Sequence, residues 1–368
     1  MRPTVARIHL DRLQDNLAWI KGGLNPHVAL MAVVKANGYG HGAVAVAHAA
    51  LGAGASWIGV ALVSEGAALR REGIDAPILV LGQPAASEIG EALAWDLDLV
   101  VFTPQMFAHI AALAEQRRAP ARVHLKLDTG MGRIGILPGD IGAEWLMRLH
   151  SPWVDFQGVM THFANADSLD PAPTRRQAEI FLNALETLRL AGFKPRFVHA
   201  ANSAATLKFP GTQFNLVRVG IAMYGLEAYQ PLPEELRPVM ELRSEVTYVK
   251  EVGADFPVGY GSTFTTRKPM KIVTVPIGYA DGYRRSLSNR AHVLIMGRRY
   301  PVVGRISMDQ LTVGAPLDDP VAVGDRVTLI GEDSGAAVTA DGLAREMDTI
   351  GYEIVTGISS RVPRVYDD

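Results

Sequence analysis

Over roughly the first 230 residues, short apolar runs rich in β-branched residues alternate with longer stretches whose apolar positions recur at helical spacing. Runs bounded by turn residues predict strands at ALMAVVK, SWIGVAL, PILVLG, LDLVVFT, RVHLKLD, FQGVMTHF, RFVHAAN and LVRVGIAMYG. Between them, AVAVAHAALGAGA, VSEGAALRREG, PQMFAHIAALAEQRR and RRQAEIFLNALETLRLAG predict helices. Eight strands alternating with helices approach the ~250 residues of a (β/α)8 barrel; a doubly wound open sheet shares that alternation. After Tyr224 the texture changes. EAYQPLPEELRP, rich in proline and acids, predicts a crossover. From about Val239, short strands recur with Gly, Asp and Pro turns, and TADGLAREM is the only stretch that reads as a helix. The expected architecture is an α/β barrel over residues 1–230 followed by a mostly β domain over 231–368.

Composition narrows the chemistry. A chain of 368 residues, 48% hydrophobic and 20% charged, predicts a folded core. There is no cysteine, which excludes disulfides, thiolate metal sites, iron–sulfur clusters and cysteine nucleophiles. A formal charge of -2 without a long basic block argues against nucleic acid or an anionic membrane as partner. No apolar run approaches the ~20 residues of a membrane helix. The N-terminal stretch mixes charge into every turn, unlike a secretory signal. The expectation is a soluble cytoplasmic protein.

In a barrel, polar residues at the C-terminal ends of strands carry the most weight. The first predicted strand ends in Lys35, followed by Asn37, Tyr39 and His41 in a glycine-rich turn. The fifth carries Lys126 and Asp128 and runs into TGMGR with Arg133; the sixth ends in His162; the seventh ends in His199, then Asn202 and Ser203. The eighth carries Arg218 before Gly220. Singly, each has an ordinary reading: a solvated lysine, a core histidine, a structural ion pair. Together on one rim they fit an anionic aromatic ligand held covalently by a lysine. Glycine turns at Gly38–Gly42 and Gly220 let backbone N–H groups approach an anion, and a buried ε-amine suits Schiff-base chemistry. The signatures GxxxxGK[ST], HExxH and GxSxG are absent.

AVVKANGYGHG resembles the pyridoxal-phosphate attachment motif of alanine racemases. The resemblance continues, in order, through KLDTGMGRIG, THFANAD, ANSAA, RVGIAMYG, VGYGSTF, PIGYADGY, ISMDQ and IGYEI…RVPR. It implies a fold type III enzyme interconverting L- and D-alanine with pyridoxal 5'-phosphate, for D-alanine supply or alanine catabolism. It also implies that roughly the first ten residues join the β-domain. By resemblance Lys35 carries the cofactor as a Schiff base, and Tyr39, Ser203, Gly220, Ile221 and Tyr352 hold its phosphate. Arg218 faces the pyridine nitrogen with His162 beside it. Tyr260 is the second catalytic base, supplied with Met308 and Asp309 by the partner of a head-to-tail homodimer. Arg133 lies near the substrate carboxylate, Lys126 is a candidate carbamate, and Tyr279 and Tyr352 narrow the entrance. Gly38 stands where many members have alanine, and Ser307 where some have cysteine. The rivals are a broader-specificity racemase acting on serine and an amino-acid decarboxylase of the same architecture. The decarboxylases place a carboxylate at the position of Arg218 and use a cysteine, which this chain lacks. A cofactor-carrier protein resembles the barrel alone.

Overall fold

The computed structural model describes residues 2–367. Strand β1 (Val5–His9) precedes eight parallel strands: β2 (Ala29–Val33), β3 (Trp57–Val60), β4 (Ile78–Val80), β5 (Asp98–Val101), β6 (Ala121–Lys126), β7 (Val154–Met160), β8 (Phe197–His199) and β9 (Leu216–Val219). They follow the order β8-β7-β6-β5-β4-β3-β2-β9. The remaining seam closes through Arg218 N, which donates to Ala201 O at 3.0 Å, and Val198 N, which donates to Asn215 Oδ1 at 2.7 Å. The sheet is therefore a nearly closed barrel, and the open-sheet alternative falls. Most of these strands are buried on both faces, as a parallel sheet jacketed by helices requires. Met31, Trp57, Leu79, Val100, Met160 and Leu216 form a cluster separate from the main core, where alternate strand positions point into the barrel.

Every predicted barrel strand exists, shorter by a few residues where the chain turns onto the rim. Helices outside the predicted set include Leu10–Gly22, Ala86–Ala94, Ala143–Arg148 and Ser203–Lys208. Leu10–Gly22 buries Leu13, Asn16, Leu17 and Ile20 on one face. Ala86–Ala94 buries Ile89, Ala92 and Leu93.

β1 pairs antiparallel with β10 (Met240–Glu245) and parallel with the terminal strand Arg364–Asp367, so the first residues complete the C-terminal sheet. A three-stranded sheet holds Tyr248–Val252, Met270–Val275 and Leu311–Ala315. A short hairpin, Pro257–Val258 with Phe264–Thr265, presents Tyr260 in its turn. One expectation for this half is corrected. TADGLAREM forms a helix at Ala340–Glu346, but Gly351–Thr356 is helical too. Its β-branched run (Ile354, Val355, Thr356) lowers helix propensity, and burial of Ile354 and Val355 overrides that preference.

Candidate active site

Lys35 follows β2, and the chain behind it winds into a left-handed turn. Ala36, Asn37, Gly38 and Tyr39 all have positive φ, between 51° and 62°. Such a conformation costs an L-residue ~1–2 kcal/mol, so the surroundings must impose it. Ala36 N donates to Glu65 Oε1 at 2.7 Å, and Gly38 N donates to Val34 O at 2.7 Å. Gly40 N reaches Ala36 O, Gly42 N reaches Asn37 O, and Asn37 Oδ1 accepts from Ala43 N. This corrects the reading of the glycine turn as an anion cradle. The N–H groups of Gly38, Gly40, His41 and Gly42 are all spent inside the turn. Its product is a side-chain position: Tyr39, buried against Tyr224 with ring centroids 4.9 Å apart, points its hydroxyl at Gly220.

Gly220 serves close approach rather than positive φ. A Cβ there would stand 2.6 Å from Tyr39 Oη. Ser203 Oγ accepts from Gly220 N at 2.9 Å and Ala222 N at 3.3 Å. The Ile221 N–H has no backbone acceptor among the described residues and lines the cavity.

Lys35, Tyr39, Lys126, Arg133, His162, Ser203, Arg218, Gly220, Ile221 and Tyr352 all line one cavity of about 680 Å³ at the C-terminal mouth of the barrel. Arg218 is almost fully buried. Its Nη2 donates to Thr161 O at 2.8 Å and Ala200 O at 3.0 Å and meets His162 Nδ1 at 3.2 Å; its Nη1 meets His199 Nδ1 at 3.0 Å. Nε has no acceptor among the described residues. Burial pushes the guanidinium pKa down, and it stays protonated at neutral pH. Burial, then the charge of Arg218, drives His162 well below its ordinary pKa, so this ring is neutral and can accept. Burial and then Arg133 lower the Lys35 pKa, while Glu65 opposes them.

Lys126 is lowered to about 7, by burial first and then by Arg218 and Arg133. Asp128 is not its ion-pair partner. One Asp128 oxygen accepts from the backbone N–H groups of Gly130, Met131 and Gly132, and the other from Arg133 N. That loop, Gly130-Met131-Gly132-Arg133-Ile134-Gly135, has the G-x-G-x-x-G spacing of a dinucleotide loop. No α-helix begins there, Asp128 takes up its N–H groups from Gly130 to Arg133, and it carries Arg133 into the cavity.

Tyr260, Tyr279, Met308 and Asp309 lie outside this cavity. Tyr260 is 70% exposed and Met308 53%, on the C-terminal half. Tyr260 lines a separate open groove with Arg305, Ser307 and Gln310. Asp309 pairs with Arg361 at 2.7 Å. Glu65 was invisible to sequence reasoning, because as the third residue of the helix Val63–Arg71 it has an ordinary capping role. Only the fold brings it to Ala36.

The family model for the alanine racemase N-terminal domain matches residues 8–228, and that for the C-terminal domain matches residues 239–366. The chain is 47% identical to the alanine racemase of Symbiobacterium thermophilum, covering 100% of this chain and 97% of the relative. Among solved structures, alanine racemase from Bacillus anthracis with bound L-Ala-P superposes with a TM-score of 0.94 at 41% identity, covering 100% of this chain and 96% of that one. The enzyme from Streptomyces lavendulae gives 0.95 at 38% identity, covering 100% and 98%. With both halves matched in order and a cationic, lysine-bearing cavity at the barrel mouth, this chain belongs to the alanine racemase family.

Proposed function

We propose that this protein interconverts L- and D-alanine with pyridoxal 5'-phosphate, in a site completed by a second copy of the chain. The observation that carries the reading is the desolvated Lys35 amine sharing one cavity with Arg218, Ser203 and Tyr39. The residues fit the cofactor. Lys35 offers the amine for its covalent attachment. Tyr39, Ser203, Tyr352 and the backbone at Gly220 and Ile221 form the pole that would hold the phosphate. At the other pole Arg218 keeps Nε without a protein acceptor, as a donor to a ring nitrogen requires. The chemistry that pyridoxal phosphate would supply is an electron sink that acidifies the substrate Hα.

Racemisation takes a proton from one face of Cα and returns one to the other, so two proton carriers must flank it. The Lys35 amine would serve one face. Its lowered pKa increases the fraction of free amine. Tyr260 serves the other. Arg218 would donate to the ring nitrogen without protonating it, because its guanidinium stays charged, and this would limit electron withdrawal and disfavour decarboxylation. Arg133, which lines the same cavity, would meet the substrate carboxylate and the cofactor's phenolic oxygen. A carbamate on Lys126 would turn a cation into an anion able to pair with Arg133, and a pKa of about 7 leaves the neutral amine that such a reaction needs.

Tyr260, Met308 and Tyr279 are exposed and do not line the Lys35 cavity of their own chain, which supports their delivery to a partner's cavity. Following optical rotation on L-alanine tests the activity, and release of CO2 would instead favour a decarboxylase. Complementation tests the shared site. Lys35→Ala and Tyr260→Phe homodimers should each be inactive, and mixed subunits should recover about a quarter of wild-type activity, because each heterodimer holds one intact site. Recovery at background level would refute the shared site.

A further inference from the structure

Arg218 is a buried cation with no carboxylate within ion-pairing distance among the described residues. A chain of imidazoles leads from it to one. Arg218 Nη1 lies 3.0 Å from His199 Nδ1, and His199 Nε2 lies 2.9 Å from His124 Nδ1. His124 Nε2 faces Asp98 Oδ2 at 3.7 Å, and Asp98 Oδ1 accepts from Arg122 Nε at 2.7 Å. Both histidines and Asp98 are fully buried, whereas the Arg122 side chain is 33% exposed at the opposite end of the barrel. The chain thus crosses the barrel from the active-site mouth to solvent.

Its donor direction follows from the inventory of groups. Arginine only donates, so His199 Nδ1 must accept and its proton sits on Nε2. That proton goes to His124 Nδ1, which places the His124 proton on Nε2, aimed at Asp98. The last gap is longer than a hydrogen bond. Yet His124 Nε2 and Asp98 Oδ2 have no other partner, so each is the other's only buried complement among the described residues. The fold makes room for this arrangement. A Cβ on Gly158, in the middle of β7, would stand 2.3 Å from His124 Nδ1. The β6–β7 register shifts between Val123 and His124, as at bulges that re-aim a side chain.

We propose that Asp98, through His124 and His199, is a positioning residue that fixes the orientation of the Arg218 guanidinium and supplies its distant counter-charge. A carboxylate is required at this position because two donors, Arg122 Nε and His124 Nε2, converge on it. An amide has one accepting oxygen and must turn its NH2 toward one of them. Asp98→Asn therefore leaves an unmet donor or reverses both rings, and reversal sets an N–H of His199 against Arg218. Removing Arg122 as well frees the amide oxygen for His124.

The functional consequence rests on the racemase reading, but ring tautomers are read from spectra whatever the activity, so the two ideas fail separately. In histidine-labelled holoenzyme, 13C and 15N NMR should show His124 and His199 neutral with the proton on Nε2. Asp98→Asn should change those ring signals, shift the visible absorbance of the bound cofactor and lower kcat on the order of 10-fold, as loss of an outer-shell partner does elsewhere. Asp98→Asn with Arg122→Met should recover most of the signals and rate. If Asp98→Asn does not fold, His124→Phe severs the same chain and should reproduce the shift and the loss. A proton on Nδ1 of either ring in the wild-type protein overturns the proposal. So does a severed chain with unchanged cofactor absorbance and kcat.

Discussion

Two glycines of the turn behind Lys35 differ only two positions apart, and the structure separates them sharply. Gly38 (φ +62°) sits in the left-handed region beside Ala36 and Asn37, which are already left-handed there. A Cβ on Gly38 would meet Ala43 N at 3.2 Å and Val46 Cγ2 at 3.4 Å, a tight fit that small shifts relieve. Gly38→Ala then costs ~1–2 kcal/mol for conformation, offset by ~0.4–1 kcal/mol from a less flexible unfolded chain, a net loss of about 1 kcal/mol. Gly40 (φ +83°) is different. Its Cβ would stand 2.3 Å from Val355 O and 3.0 Å from Val355 C, against the backbone of the helix Gly351–Thr356 that carries Tyr352. Conformation and overpacking add for Gly40→Ala, giving roughly 2–5 kcal/mol, and relief of the clash moves Tyr352 away from Tyr39. The assay is urea unfolding of both variants beside wild type at one protomer concentration, with cofactor affinity measured in parallel. Gly38→Ala should stay near wild type in both, while Gly40→Ala loses midpoint and affinity. Equal losses, or a Gly40→Ala midpoint within about 1 kcal/mol of wild type, would refute the packing argument.

Gly220→Ala should push Tyr39 Oη aside and weaken pyridoxal phosphate binding roughly 10- to 100-fold, the loss of a hydrogen bond to a charged group, with little change in the melting midpoint of the cofactor-free protein. The Lys126 pKa lies at about 7 against an ordinary 10.5, so the unfolded chain binds more protons between those values. Wild-type stability in CO2-free buffer should therefore rise with pH over that window, and Lys126→Met should reduce this rise, leaving the part that the lowered Lys35 pKa contributes. Glu65→Ala strips acceptors from Ala36 N, Ala61 N and Leu62 N, and should cost roughly 1–3 kcal/mol while lowering the Lys35 pKa further, read from the pH dependence of cofactor attachment.

The barrel was legible because its strands are continuous apolar runs set between helical repeats, and both patterns survive in a single chain. His162, His199 and Arg218 were legible as strand-end residues once the barrel was assumed. Their hydrogen bonds were not, since strand position says nothing about which atoms meet across a barrel. The turn at Lys35 shows the limit most clearly. Its glycines predicted unusual backbone and Asn37 tolerates it, yet Ala36 and Tyr39 share the same left-handed conformation, which their own preferences do not encode; a long-range hydrogen bond to Glu65 and a local one from Ala43 N to Asn37 hold the turn. Asp98 was read simply as a strand residue. Its neighbours Arg122 and His124 come from the next strand, and His199 from a strand three further along the barrel order.

These contacts bear on the charge of the site. Lys35, Lys126, Arg133 and Arg218 face one cavity, and none of them forms an ion pair among the described residues. Crowded, desolvated cations raise the free energy of the empty pocket, and the depressed pKa values of Lys35 and Lys126 express that cost. An anionic cofactor and a substrate carboxylate lower it on arrival, and a carbamate on Lys126 would lower it further. Part of the binding energy is thus stored in the folded chain before any ligand is present. The cation left deepest, Arg218, cannot shed its proton at neutral pH, so its relief has to come through the protein. That need places a carboxylate at the far end of the barrel and two histidines between, where an apolar core would pack more simply.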